Sequence, residues 1–193
     1  MKTRDPVNQY LIEQHSEFGS EELGLMNSSV WREDPKRLVF TLARYKFVAK
    51  MLRGLESVAE IGCGDGFGAR IVRQEVQNLL VTDFDPVFIE NFEKSKSIHW
   101  EIVAKVHDIL DAPLGKRVQA IYSLDVMEHV SRERENVFME NICKSLTPHG
   151  IAIIGIPSQE SQSYASPESQ QGHINCKTGD QLLYILNKHF NNV

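Results

Sequence analysis

Glycine occupies every second position from 62 to 68, and two carboxylates, Glu60 and Asp65, stand beside these glycines. Glycine adopts backbone dihedrals that a side chain forbids, and it lets a bulky ligand group lie directly against the chain. Carboxylates repel a pyrophosphate but suit a ligand that carries positive charge. This stretch is therefore predicted to bind a cationic ligand. Its candidate binding residues are Glu60, Gly62, Cys63, Gly64, Asp65 and Gly66.

The glycine spacing disfavours a dinucleotide site. The dinucleotide fingerprint G-x-G-x-x-G needs a third glycine three positions after the second, so that the pyrophosphate can lie on a helix N-terminus. Counting from Gly62 and Gly64, that position is Phe67. A nicotinamide-dependent oxidoreductase is therefore a weak alternative.

A second acidic position follows the next predicted strand. Asp83, with Phe84 beside it, lies 21 residues beyond Gly62. A carboxylate at the end of the second strand of a doubly wound sheet can accept hydrogen bonds from both ribose hydroxyls. Asp83 and Phe84 are predicted to contact a nucleoside, whereas Asp85 is predicted to cap the helix that begins at Pro86.

Together these features resemble motif I and the following motif of class I S-adenosylmethionine (AdoMet)-dependent methyltransferases, whose ligand carries an ammonium and a sulfonium. The resemblance covers roughly residues 55–190, with four motifs in the same order. The ending Glu128-His129-Val130 is similar to that of ubiquinone-pathway O-methyltransferases. The resemblance implies AdoMet as cofactor, S-adenosylhomocysteine as product, and a small-molecule acceptor with a hydroxyl favoured. The alternative is an AdoMet-binding or partner-binding module without catalysis.

The resemblance also implies contacts to the adenine. Asp108 matches the carboxylate that accepts a hydrogen bond from the adenine 6-amino group, and Ile109 matches the apolar neighbour that packs on the ring. Taken alone, an aspartate at this position would be interpreted as a turn or helix-capping residue. Its place after two matching motifs favours the adenine contact.

The loop after the fourth predicted strand carries the remaining candidates. Asp125 and Glu128 are predicted to lie at the cofactor, and His129 and His173 are the candidate bases for a hydroxyl acceptor. His173 stands in a Gly-His segment that commonly follows the fifth strand in the resembling family. A competing interpretation remains, in which Asp125 and Glu128 cap a helix and His129 makes a structural hydrogen bond.

These residues need a sheet that brings strand ends together. The pattern predicts an α/β fold: a doubly wound, mostly parallel, Rossmann-like methyltransferase sheet of about five strands that lacks the usual last two. A helix is predicted to begin at Asp34-Pro35 and to be covered on two sides, because it carries two apolar stripes. Short apolar runs predict strands at residues 58–61, 79–82, 102–106, 118–124 and 151–156.

Strand 151–156 would be an apolar sheet edge. We therefore expect a domain that is C-terminally short, with the edge shielded by a partner chain, such as a second copy, or by the loop after Pro157. Residues 1–33 are predicted to be a peripheral segment, in which residues 24–27 are a candidate flap, and residues 34–193 the AdoMet-binding domain. The polar stretch 158–175 is predicted to be a substrate loop, with Tyr164 and His173 able to touch the acceptor.

The net charge, the hydropathy pattern and the cysteine spacing argue against several classes of protein. The 193 residues carry a net charge of −5, which disfavours nucleic acid as a partner. The sequence shows neither a signal peptide nor a membrane span, so we expect a cytoplasmic protein. The three cysteines fit neither a disulfide framework nor a zinc site, and no other spacing predicts a metal.

Overall fold

A computed structural model describes residues 2–97 and 99–193. Its centre is a five-stranded sheet in the order β3-β2-β1-β4-β5, in which every pair of neighbours is parallel. The predicted fold class is confirmed. The strands are β1 (Ser57–Ile61), β2 (Asn78–Asp83), β3 (Val103–Val106), β4 (Val118–Leu124) and β5 (Leu146–Gly155).

Helices cover both faces of the sheet and connect all consecutive strands except β3 and β4, which a described non-helical loop joins. The α-helices are α1 (Gln9–Phe18), α2 (Leu25–Glu33), α3 (Pro35–Met51), α4 (Ala69–Arg73), α5 (Pro86–Lys94), α6 (Glu135–Ser145), α7 (Pro167–Gly172) and α8 (Gly179–His189). Short 3-10 helices span Pro6–Asn8, Met127–His129 and Gln159–Tyr164. In the described residues, no helix combines the length and the apolar character that a membrane crossing requires.

The core lies in two layers, one on each face of the sheet. Central strands of a parallel sheet are covered on both faces, which is why β1 and β4 are almost continuously buried. One layer contains Tyr45, Val48, Leu52, Val72, Val81, Ile89, Phe92 and Tyr122. The other contains Ile61, Ile121, Met127, Phe138, Met139, Ile142 and Ile185.

Helix α3 begins at Pro35 as predicted, but it is covered on one side only. Its inner side buries Leu38 and Tyr45, whereas Phe40 is 71% exposed and Phe47 is 57% exposed. The prediction of two covered sides was wrong, because no described element packs on the second stripe. A cleft of about 560 Å³ runs between this stripe and β5, and Phe40, Phe47 and Ile153 contribute to its walls.

Strand β5 starts earlier than predicted. Leu146 pairs with Val118, and after a register shift Ile151 pairs with Ala120. Residues 147–150 are therefore left out of the ladder. Among the described residues no strand pairs with the outer edge of β5, as the sequence predicts.

The polar stretch after β5 is folded into two short helices. Side-chain hydroxyls cap both of them: Ser158 accepts from the Ser161 N–H, and Ser166 accepts from the Ser169 N–H. Beyond them, Thr178 and Gln181 form a reciprocal capping box at the start of α8. These local caps hold the stretch in place without an apolar core of its own.

Candidate active site

The glycine loop joins β1 to α4 and is fixed by hydrogen bonds to β2. Gly62, Gly64 and Gly66 have φ angles of 75°, 54° and 65°, in the left-handed region that favours glycine. A Cβ on Gly62 would come within 2.3 Å of a Val126 methyl group. The Gly62 N–H donates to the Thr82 carbonyl over 2.8 Å. The loop is therefore built without side chains at its turning points.

Asp83 ends β2 directly beside this loop. One carboxylate oxygen accepts from the Gly64 N–H at 2.9 Å, and the other accepts from the Asp85 N–H at 3.0 Å. Burial raises the pKa of Asp83, and the two backbone donors act in the opposite direction. Each oxygen keeps a lone pair for a further donor. Phe84 is exposed next to it, and Asp85 caps α5 as predicted, since it accepts from the Val87 N–H.

Glu60 is placed away from the sheet edge, in the core. Its two oxygens accept hydrogen bonds from the Tyr45 hydroxyl at 2.6 Å and the Tyr122 hydroxyl at 2.8 Å. Burial raises the pKa of Glu60 to about 7, although the two hydroxyl donors lower it. Its carboxylate thus orders β1 and α3 beneath the loop.

Asp65 and Cys63 are also buried in the loop. Asp65 accepts from the Asn27 backbone N–H at 2.8 Å and from the Asn27 side-chain amide at 2.6 Å. Met26 lies against Gly64, so that a Cβ there would be 2.7 Å from the Met26 sulfur. The start of α2 therefore covers the glycine loop. Burial raises the pKa of the Cys63 thiol, which keeps it a neutral packing group.

The candidate adenine residues follow β3. One Asp108 oxygen accepts from the Leu110 N–H at 2.8 Å, and the side chain is half-buried. Ile109 is buried in the core layer against α6, where the Asn141 amide donates to its carbonyl at 2.7 Å. Asp108 thus makes the turn bond that the alternative interpretation expects, with its second oxygen left for another donor.

The loop after β4 turns sharply at Asp125. Its φ of 56° is rare for a residue with a side chain, and its carboxylate accepts from the Arg44 guanidinium at 2.5 Å. The Nε of Arg44 is buried, and the side chain reaches the candidate site.

Glu128, His129 and His173 lie together, although 44 positions separate the last two in the sequence. Glu128 is 0% exposed, and burial raises its pKa to about 8. Its Oε1 is 3.9 Å from His129 Nε2. His173 is half-buried, and both burial and the neighbouring His129 lower its pKa. Tyr164 is 91% exposed and does not join this group.

Neither histidine is free to rotate. His129 Nδ1 is 2.9 Å from the Gly172 carbonyl oxygen, and His173 Nδ1 is 2.8 Å from Gln162 Oε1. A carbonyl oxygen only accepts, so each Nδ1 carries a hydrogen, and in the neutral ring Nε2 carries the lone pair. His129 thus makes the structural hydrogen bond of the competing interpretation and still presents a base. Gln162 lies in a stretch without hydrophobic periodicity. Only its nearness to His173 in the sequence could have suggested that it binds this histidine.

A buried polar network holds the segment that carries His173. The Asn175 N–H donates to the Glu128 carbonyl at 2.9 Å, and the Asn175 amide donates to Glu135 at 3.0 Å. Buried Lys177 pairs with Glu135 at 2.6 Å and also donates to the Asn175 side chain. The sequence showed no sign of this network, because its members are far apart and each is of a residue type usually exposed.

Comparisons with known proteins agree with this architecture. Residues 58–150 match the family model of a methyltransferase domain. A ubiquinone biosynthesis O-methyltransferase of Rickettsia bellii is 26% identical over 147 residues, which are 74% of this chain and 57% of that protein. This chain thus spans little more than half the length of that relative.

Two solved structures have a similar fold. The N-methyltransferase NodS from Bradyrhizobium japonicum, in complex with S-adenosylhomocysteine, superposes with a TM-score of 0.65 at 20% identity over 83% of this chain and 84% of its own. A Haloferax volcanii methyltransferase in complex with the activator Trm112 gives a TM-score of 0.63 at 16% identity over 83% and 74%. The predicted resemblance to class I AdoMet-dependent methyltransferases is confirmed.

Proposed function

We propose that this chain, which carries a methyltransferase domain on the class I methyltransferase fold, binds AdoMet and transfers its methyl group to a small-molecule acceptor, with a hydroxyl favoured. The observation that carries the proposal is the pairing of Asp83 with the glycine loop. Both stand at the carboxyl edge of neighbouring strands, where doubly wound folds bind ligands. The similar solved structures support the fold, and the family-model match supports the methyltransferase domain. The activity is our inference.

We assign each group of candidate residues to one part of the cofactor. Asp83 would accept from the ribose hydroxyls through the lone pairs that the backbone N–H groups leave free, with Phe84 beside it. Asp108 and Ile109 would hold the adenine. Gly62, Gly64 and Gly66 would let the amino-acid end lie against the backbone, with Cys63 between them. Glu60 and Asp65 would act indirectly, through the tyrosines and Asn27 that they bind.

AdoMet, when bound, supplies a methyl group activated by a sulfonium, which departs as a thioether. The protein then has to orient the acceptor in line with that methyl group, and such alignment contributes about 7–11 kcal/mol in well-ordered systems. The Nε2 lone pairs of His129 and His173 would accept the proton of an acceptor hydroxyl. Asp125, fixed by Arg44, and Glu128 lie next to them and would border the cofactor. A hydroxyl needs such a base more than an amine does, and this favours O-methylation.

Cofactor binding is tested by substituting Asp83. Asp83→Ala removes a charged acceptor from the ribose, so we expect it to weaken S-adenosylhomocysteine binding by about 1–3 kcal/mol, or about 5- to 150-fold. Isothermal titration calorimetry measures this change. The matched control is Asp180→Ala on the exposed start of α8, which should bind as the wild type does. Equal affinity of both variants would contradict the ribose assignment.

Catalysis is tested with labelled AdoMet and a panel of phenols, sugars and amines. We expect transfer to hydroxyl compounds, and His129→Ala should slow turnover while leaving cofactor affinity unchanged. Transfer to amines alone would overturn the hydroxyl preference. Cofactor binding without transfer to any acceptor would instead support a binding module.

A further inference from the structure

Two histidines and one glutamate from separate segments converge at the open side of the candidate site. Glu128 and His129 come from the 3-10 helix after β4, and His173 comes from the end of α7. One ligand atom from each lies within 4.8 Å of the other two. The sequence predicted no metal, because positions 128, 129 and 173 have none of the short spacings that signal one.

Both imidazoles are set up as ligands by their outer partners. The Gly172 carbonyl and the Gln162 side chain each hold an Nδ1, so that in the neutral ring Nε2 is the nitrogen that can bind a ligand. Metal-binding histidines generally donate their other N–H to a carbonyl or carboxylate, and this partner fixes the ring and its tautomer. The two rings are 5.1 Å apart between centroids and approach edge to face. Their Nε2 atoms are therefore oriented before any ligand arrives.

Glu128 has no partner of its own. Its side chain is fully buried, and neither carboxylate oxygen accepts a hydrogen bond from another described residue. Burying a carboxylate without compensation is costly. Arg44, whose charge acts on Glu128, already binds Asp125. A cation held between Glu128 and the two imidazoles would satisfy all three groups.

We propose that Glu128, His129 and His173 bind one divalent transition-metal ion. Two imidazole nitrogens and one carboxylate suit zinc, manganese, iron or cobalt ions better than magnesium or calcium, which prefer all-oxygen sites. Three protein ligands leave coordination positions open, and His129 is exposed on that side. The site is thus of the open kind that binds a substrate group, not the closed kind that only stabilises a fold.

The function of this ion rests on the proposed methyl transfer. The ion would bind the acceptor hydroxyl oxygen and lower its pKa, so that the proton leaves to solvent. A lone pair of that oxygen then forms the C–O bond as the S–C bond breaks. In this arrangement His129 and His173 position the acceptor through the ion, in place of taking the proton themselves.

Metal binding is tested without any methyl acceptor. Co²⁺ is titrated into the chelator-treated full chain and followed by visible absorption and calorimetry, with Zn²⁺ as competitor. We expect one Co²⁺ per chain. His129→Ala and His173→Ala should each weaken binding at least 100-fold, and Gln162→Leu about 10-fold, since outer-partner losses cost 10- to 100-fold.

The matched control is His149→Ala, because His149 is exposed in the part of β5 that has no pairing partner. It should bind Co²⁺ as the wild type does. Circular dichroism and urea unfolding confirm that each variant is folded. Absence of stoichiometric binding in the wild type, or unchanged binding in both histidine variants, overturns the site.

The proposed metal site and the proposed methyl transfer are tested by independent measurements, so either one can be refuted without the other. S-adenosylhomocysteine affinity, measured with chelator present, tests the cofactor site without the ion. A chain that binds Co²⁺ through both histidines but does not bind the nucleoside keeps the metal site and refutes the proposed function. Transfer that continues unchanged in the presence of chelator overturns the role of the ion in holding the acceptor.

Discussion

At the scale of single residues, the carboxylates of the motif turn out to have different tasks. Glu60 and Asp83 end neighbouring strands, yet Glu60 binds two tyrosine hydroxyls in the core and Asp83 binds backbone N–H groups at the edge. Residue type and spacing cannot separate them, because the difference comes from Tyr45 and Tyr122, which no local pattern links to Glu60. The sequence therefore predicts where carboxylates gather but not which one remains available to a ligand.

The environment of Glu60 gives a pH-dependent prediction. Its pKa is raised from 4.5 to about 7, so the folded state holds the proton more tightly than the unfolded state does. The stabilising contribution is complete below about pH 4.5 and is lost as the pH rises to about 7. Relative to Glu60→Gln, the wild type should lose about 3 kcal/mol of unfolding free energy between these pH values, since one pKa unit is worth about 1.4 kcal/mol.

Urea unfolding at pH 4.5 and at pH 7.5 measures this difference. The exposed, non-titrating substitution Gln14→Ala serves as control, and its difference from the wild type should not depend on pH. A pH-independent difference between Glu60→Gln and the wild type would show that Glu60 titrates as an ordinary carboxyl group.

At the scale of elements, the N-terminal segment is tied to the glycine loop. Helix α2 has no buried residue of its own, yet Asn27 gives Asp65 two hydrogen bonds and Met26 lies on Gly64. These contacts place residues 24–27, the candidate flap, over the glycine loop. Weak helical periodicity could not predict this attachment, because it depends on contacts with residues far along the chain.

Asn27→Ala tests the attachment of α2. The change leaves buried Asp65 with one partner fewer, so we expect a loss of about 1–3 kcal/mol in unfolding free energy and faster amide exchange in α2. Hydrogen exchange measured by mass spectrometry gives the exchange rates in α2, and the exchange of the most protected amides gives the change in unfolding free energy. Asn192→Ala in the exposed C-terminal residues is the control. Unchanged exchange in α2 would mean that the Asn27 contacts do not hold the segment.

Helix α3 offers a contrast in packing. Phe47 is exposed on its outer stripe, whereas Phe92 of α5 is buried and lies against Gly66. We expect Phe92→Ala to cost about 3–5 kcal/mol and Phe47→Ala less than about 0.5 kcal/mol. Chemical denaturation measures both. A large cost for Phe47→Ala would indicate that something covers the outer stripe in solution, such as the second copy that the apolar edge of β5 suggested.

At the scale of the whole molecule, the fold was predictable and the site only partly so. Strand ends, glycines and their order along the chain fix which loops meet at the carboxyl edge, and these are local signals. The meeting of His173 with Glu128 and His129 is not local, because it depends on caps at Ser158 and Ser166 and on the buried Asn175, Glu135 and Lys177 network. Each of these groups is polar, and hydrophobic periodicity carries no information about polar groups.

The most direct measurement of the central claim is a crystal structure of the chain with S-adenosylhomocysteine bound. We expect ribose hydroxyls on the Asp83 carboxylate, the adenine beside Asp108, the amino-acid end against the glycine loop, and the thioether sulfur facing the Glu128, His129 and His173 group. A nucleoside that binds elsewhere, or a glycine loop that stays closed by Met26 with no ligand in saturating S-adenosylhomocysteine, would contradict the claim.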